Sequence, residues 1–148
     1  MGGTPEFTVR RVEWAAVSDE LRAIRAAVFI DEQKVPLELE WDGLDAHCLH
    51  VLAASAAGAA IGTGRLLQDG HIGRMAVLKA WRGRGVGGAL LQELIAAARE
   101  RGLVSVALNA QTHALDFYAR FGFVAAGGEF MDAGIPHRAM CLALLRSK

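Results

Sequence analysis

The chain has 148 residues, enough for one domain with a real core, and a hydrophobic share of 53% excludes a disordered polymer. Sixteen Lys and Arg balance sixteen Asp and Glu, which argues against a general nucleic-acid binder, since that affinity rests on neutralising many phosphates. The two cysteines, Cys48 and Cys141, lie far apart without metal-type spacing; they read as packed thiols of a reducing compartment, and no metal is expected.

Phe7 to Trp14 reads as a first strand. Ser18 is a candidate N-cap, Asp19 and Glu20 suit the positive end of a helix, and Leu21, Ile24, Val28 and Phe29 form one apolar stripe at helical spacing. Pro36 ends that region, and Asp31 to Asp45 reads as a polar connection carrying six acids: Asp31, Glu32, Glu38, Glu40, Asp42 and Asp45. Cys48 to Ala54 and Ala60 to Leu67 form a predicted hairpin, Asp69-Gly70 a turn, and His71 to Leu78 the next strand. Val86, Leu90, Leu91, Leu94 and Ile95 mark the buried face of a helix to Arg101, with Gly102 in the C-cap position. Val104 to Leu108 is a short buried strand, Thr112 to Phe121 a short helix closed by Gly122, and Phe123 to Phe130 and His137 to Leu144 two strands around the turn from Asp132 to Pro136. The order β-α-β-β-β-α-β-α-β-β predicts a single domain over 1–148, with a mixed sheet and helices on its faces, and disorder at 1–6. No signal peptide is visible, Glu6 breaks the myristoylation pattern, and the softest apolar stretch, Val51 to Gly64, is too short and small-sided to cross a bilayer. A cytoplasmic location without membrane contact is expected.

Four glycines and two arginines fall in the seven residues Arg82-Gly83-Arg84-Gly85-Val86-Gly87-Gly88, between a strand and a helix. Such a turn exposes backbone amides to an anion, and arginine adds forked donors suited to phosphate. Gly83-x-Gly85-x-x-Gly88 matches the dinucleotide fingerprint literally, but the next strand reaches Asn109 where a ribose-binding acid is expected, and too little chain remains for the parallel half-sheets. No Gly-Lys-Ser/Thr follows, so it is not a Walker loop, and an RNA-binding Arg-Gly tract is longer and disordered. A purely structural turn is the remaining alternative.

Arg82-x-x-Gly85-x-Gly87 after a strand and before a helix resembles the pyrophosphate loop of the GNAT superfamily of acyl-CoA-dependent N-acyltransferases. Asn109-Ala110-Gln111 followed by Leu115-Asp116-Phe117-Tyr118-Ala119-Arg120-Phe121-Gly122-Phe123 is similar to the family's asparagine and its aromatic-Tyr-x-x-x-Gly-Phe helix. Phe29-Ile30-Asp31-Glu32-Gln33 with Val35-Pro36, and Gly134-Ile135-Pro136-His137, resemble the small ElaA-like branch; Lys79 departs from the proline often found before the loop. The resemblance implies an α/β (α+β) fold, with a mixed, mostly antiparallel central sheet of about seven strands flanked by about four helices.

It also implies an acetyl-CoA-dependent N-acetyltransferase acting on a primary amine of a small molecule or peptide. Acetyl-CoA would be held by Arg82, Gly83, Arg84, Gly85, Val86, Gly87 and Gly88, by strand pairing at Met75, Ala76 and Val77, and by Asn109. Tyr118, the single tyrosine, would be the general acid that helps the thiolate leave. Glu32, Asp42, His47 and His137 are candidates for the acceptor pocket; His50, His71 and His113 read as structural, and most acids between Asp31 and Asp45 as a solvated loop. No base is singled out, a homodimer is left open, and a non-catalytic acyl-CoA sensor and an RNA-binding module stand as the other readings.

Overall fold

The structure, a computed structural model, describes residues 6–144. The disorder expected at 1–6 therefore falls, except for Glu6, outside the described residues. Among the described residues seven strands form two antiparallel sheets: β1 (Phe7–Val12), β2 (Leu49–Ser55), β3 (Ala60–Leu66) and β4 (Ile72–Val77) in that order, and β5 (Ser105–Gln111), β7 (Ile135–Ala143) and β6 (Val124–Asp132) with β7 central. A single parallel bridge, His71 to Ala107, links them. The mixed, mostly antiparallel sheet expected from the sequence is thus split between β4 and β5.

α3 (Val86–Glu100) packs across the first sheet. Its apolar stripe, Val86, Leu90, Leu91 and Leu94, is at most 1% exposed. Gly62 and Gly64 of β3 permit this close approach: a Cβ would sit 3.0 Å from Leu90 Cδ1 at Gly62 and 2.9 Å from Leu94 Cδ1 at Gly64. Val51 and Ala53, in register with those glycines, complete the same face. Side chains alternate across a sheet, so Leu52 of β2 faces the other way, toward α1 (Trp14–Arg25), where it joins Leu21, Ile24 and Val28 in a second core.

α1 begins at Trp14, before the expected cap Ser18, because its first turn is a separate helical segment that breaks at Val17 (φ −135°) and has no side-chain cap. Its predicted stripe is otherwise inside, and the helix runs on through the wider turns Ala26–Glu32. The polar connection is more ordered than its composition implies. It contains α2 (Leu37–Glu40) and a 3₁₀ turn Asp45–His47, and Glu40 and Asp45 are buried. β5 extends past Leu108 to Gln111, which puts Asn109 inside the strand. α4 (Leu115–Ala119) follows a 3₁₀ turn, and Ala133 and Gly134, both at positive φ, close the β6–β7 hairpin. Cys141 is exposed, so the packed reading fails there; Cys48 is half-buried and both thiols are free.

Candidate active site

The split between the sheets makes a V. β4 and β5 touch at His71 and Ala107, where the Ala107 N–H donates to Gly70 O at 3.1 Å. Beyond that point β4 pairs with β3 and β5 with β7. The strand edges at Met75, Ala76, Val77 and at Asn109, Gln111 therefore face an opening with no ladder across it. A bulge shapes the β4 wall: Arg74 and Met75 together oppose Gly64, and Arg74 holds φ at +52°. Backbone strain of this kind persists only when surrounding structure enforces it.

Arg74 is held by a buried ion cluster that sequence reasoning missed. Its Nη2 donates to Leu39 O and Glu40 O, both at 3.1 Å, and to Asp42. Arg25 Nε donates to Glu40 Oε2 at 2.7 Å and Arg25 Nη1 to Asp45 Oδ1 at 2.6 Å; Arg65 joins Asp45 to Asp42. Arg25, Arg65, Glu40 and Asp45 are each less than 10% exposed. Burial raises the Glu40 carboxyl above its usual range despite Arg25, whereas hydrogen bonds from Arg65 hold Asp42 down at about 2. Three arginines against three carboxylates cancel in charge, which lets the cluster exist in a low-dielectric site. The acids between Asp31 and Asp45 are therefore partly a structural anchor rather than a solvated loop.

The open end of the V leads to the glycine turn. Gly83 and Gly85 hold φ at +78° and +86°, and a Cβ at either would meet nothing within 4 Å, so the turn presents bare backbone outward. The first intrahelical bond of α3 runs from Ala89 N–H to Gly85 O at 3.1 Å, which leaves the amides of Val86, Gly87 and Gly88 without an intrahelical acceptor. Gly87 and Gly88 have a further reason to be glycine. Their Cβ atoms would stand 3.4 Å from Phe117 Cζ and 3.0 Å from Phe121 Cζ, so they let α4 press against the start of α3. Arg84 lies over Trp81 with its guanidinium carbon 4.7 Å from the ring centre.

Two adjacent residues after α1 reach both walls of the opening. Glu32 accepts from Arg82 Nη1 and Nη2, each at 2.6 Å, while Arg82 Nε donates to Val77 O at 2.9 Å. The Arg82 hydrogen bonds lower the Glu32 carboxyl. Gln33 Oε1 accepts from Gln111 Nε2 at 2.9 Å, and Gln111 Oε1 lies 2.6 Å from His113 Nε2. Neither Gln33 nor Gln111 was singled out from the sequence, although the Asn109-Ala110-Gln111 alternation puts Asn109 and Gln111 on one face of a strand.

The other sequence candidates separate clearly. Asn109 is exposed on β5, opposite Ala139, with no side-chain hydrogen bond among the described residues. Tyr118 packs edge-on to Phe117 at 5.0 Å and to Phe123 at 6.0 Å; its hydroxyl has no hydrogen-bond partner among the described residues, and desolvation pushes the phenol up to about 12. His137 lies opposite Gln111 and is 8% exposed. Asp42 is not free to meet a ligand cation, since Arg65 and Arg74 fill its oxygens. His47 is away from the V. It lines a cleft of about 530 Å³ with Arg11, Cys48, Gln68 and Arg101, at the C-terminal end of α3 and so ~22 Å along the helix from the glycine turn.

The family model of the acetyltransferase (GNAT) domain matches residues 17–144. The chain is 40% identical over 121 residues to the uncharacterized N-acetyltransferase YjcF of Bacillus subtilis, covering 79% of this chain and 86% of that one. Its structure is similar to that of an acyl-CoA N-acyltransferase from Pseudomonas aeruginosa (32% identity, 91% of this chain and 98% of that one, TM-score 0.79) and to Escherichia coli ElaA (27% identity, 91% and 98%, TM-score 0.81). With its split sheet, open glycine turn and matching family model, the chain belongs to the GNAT acetyltransferases, a family that uses acyl-CoA as co-substrate.

Proposed function

We propose that this protein moves an acetyl group from acetyl-CoA to a primary amine by direct attack, with no covalent enzyme intermediate, in a cytoplasmic setting. The observation that carries the reading is the V between β4 and β5, open along both strand edges and ending at bare, outward-facing backbone at the start of α3. The residues present fit the group. The amides of Val86, Gly87 and Gly88 and the backbone of Gly83 and Gly85 suit a pyrophosphate, with Arg84 as a nearby cation. The edge from Met75 to Val77 offers strand backbone to the pantetheine amides, apart from Val77 O, which accepts from Arg82, and Asn109, able to donate and accept, faces them from β5. Tyr118, neutral across the physiological range, donates its proton to the departing sulfur. The test is thiol release on incubation with acetyl-CoA and a panel of primary amines, with acetyl-CoA affinity measured separately by calorimetry. Tight binding without turnover on any amine would favour a sensor.

The Glu32–Arg82 pair bears on cofactor affinity. A carboxylate in the Arg82 fork occupies the donors a phosphate would use, and it puts a negative charge beside the loop. Exposed pairs of this kind are worth a fraction of a kcal/mol to about 1. Glu32→Gln is therefore expected to tighten acetyl-CoA binding by about two- to five-fold in calorimetry. Weaker binding would show instead that Glu32 serves to hold Arg82 in place.

A further inference from the structure

The histidines differ in how their ring nitrogens are used. His50 Nε2 is bonded to Asp45 O at 2.8 Å, His71 Nδ1 pairs with Asp69 at 3.0 Å, His113 Nε2 meets Gln111, and His47 lies in the distant cleft. His137 Nδ1 is 2.7 Å from Ile135 O. A carbonyl oxygen only accepts, so Nδ1 carries the hydrogen and the Nε2 of the neutral ring is left with a lone pair. Among the described residues nothing bonds to that Nε2, although the residue is only 8% exposed. The buried side-chain atoms left without a hydrogen-bond partner among the described residues are Arg65 Nε and Arg74 Nε; His137 Nε2 is not one of them, so its lone pair is open to solvent.

Its surroundings place the ring. Leu108 and Met140, a register pair, point into the core beneath α3. The alternate pairs Asn109–Ala139 and Gln111–His137 therefore stand on the opposite face, the one that Gln33 reaches through Gln111. Phe130, opposite His137 on β6, stacks against the imidazole at 5.9 Å and 23° and holds the ring in place. The two carboxylates singled out for the acceptor pocket are occupied, Glu32 by Arg82 and Asp42 by Arg65 and Arg74.

We propose that His137 Nε2 is the group that takes the proton from the incoming ammonium. The inference rests on the acetyl-transfer reading above. One proton of R–NH3+ passes to Nε2 and on to water. The freed amine forms the C–N bond at the acetyl carbon as the C–S bond breaks. The second proton on nitrogen replaces the one that Tyr118 gives to sulfur. The products are the amide, free thiol and one proton released to solvent. Imidazole is the side chain most often used for such transfers, which contribute about 10²- to 10⁴-fold in rate.

His137→Asn keeps a donor for Ile135 O and removes the basic nitrogen. The probes are benzylamine, an ammonium at neutral pH, and phenylhydrazine, which is neutral there. The variant is expected to lose about 10²- to 10⁴-fold in kcat with benzylamine and under about tenfold with phenylhydrazine, with calorimetric acetyl-CoA affinity unchanged. Equal losses on both probes, or no loss on either, would overturn the proposal. A second arm reads the wild-type protein bound to CoA with ¹⁵N-labelled histidine. His137 should show the Nδ1–H tautomer, and added benzylamine should shift its Nε2 resonance. An Nε2–H tautomer, or no shift, also overturns it. Absence of acetyl-CoA binding in calorimetry is the separate result that would fell the acetyl-transfer reading itself.

Discussion

Tyr118→Phe is expected to lower kcat by about 10²- to 10⁴-fold while acetyl-CoA affinity and thermal stability stay near those of the wild type. The change removes one oxygen. The ring keeps its edge contacts with Phe117 and Phe123. The hydroxyl lacks a hydrogen-bond partner among the described residues, so its loss strands no buried group. A phenol at its ordinary value of 10 is already protonated at neutral pH, the state a proton donor needs, and burial, which pushes Tyr118 up to about 12, leaves that state unchanged. Single-turnover acetylation beside calorimetry separates the outcomes. Unchanged chemistry would remove Tyr118 from the mechanism, and weakened binding would make it a contact for the cofactor instead.

Arg25→Leu is expected to cost about 3–5 kcal/mol of folding stability, read by denaturant unfolding. Arg25 is 1% exposed and is the partner of both Glu40 and Asp45, with Trp41 and Trp14 packed around its guanidinium at 5.0 and 5.8 Å. Removing it leaves two buried carboxylates short of a cation. Domains of this kind have about 5–15 kcal/mol in total, so the variant would sit close to the threshold of folding. Loss well under that range would show that water enters and rescues the carboxylates. The same cluster sets an acid limit. Asp42 is held at about 2, below its ordinary 3.8, so its contribution is complete above pH 3.8 and is lost as pH falls through about 2. Acid unfolding followed by circular dichroism should show that component, and Asp42→Asn should flatten it. Glu40, raised by burial, acts with the opposite sign at higher pH.

Both variants concern features that the sequence reveals unequally. Tyr118 was legible because its helix is local: an aromatic pair, a tyrosine and a closing glycine within a few residues of one another. The glycine turn was legible for the same reason, although the need for Gly87 and Gly88 to admit Phe117 and Phe121 was not. Arg25, Arg65 and Arg74 carried no local mark. Each looks like a surface cation until tertiary contact brings it against acids 15 to 34 positions away. The strap from Glu32 and Gln33 to Arg82 and Gln111, and the exclusion of His47, are of the same kind.

By itself, then, the order of residues determined the strands and main helices, the apolar face of α3, the turn able to meet an anion and the family. These depend on periodicity, backbone freedom at glycine and neighbours close in the chain. Only the folded molecule decided which acids are spent on arginines, where the two sheets part, and which ring nitrogen remains unbonded beside the opening. Those outcomes depend on burial and on pairs far apart in sequence, whose energies arise only once the chain has closed on itself.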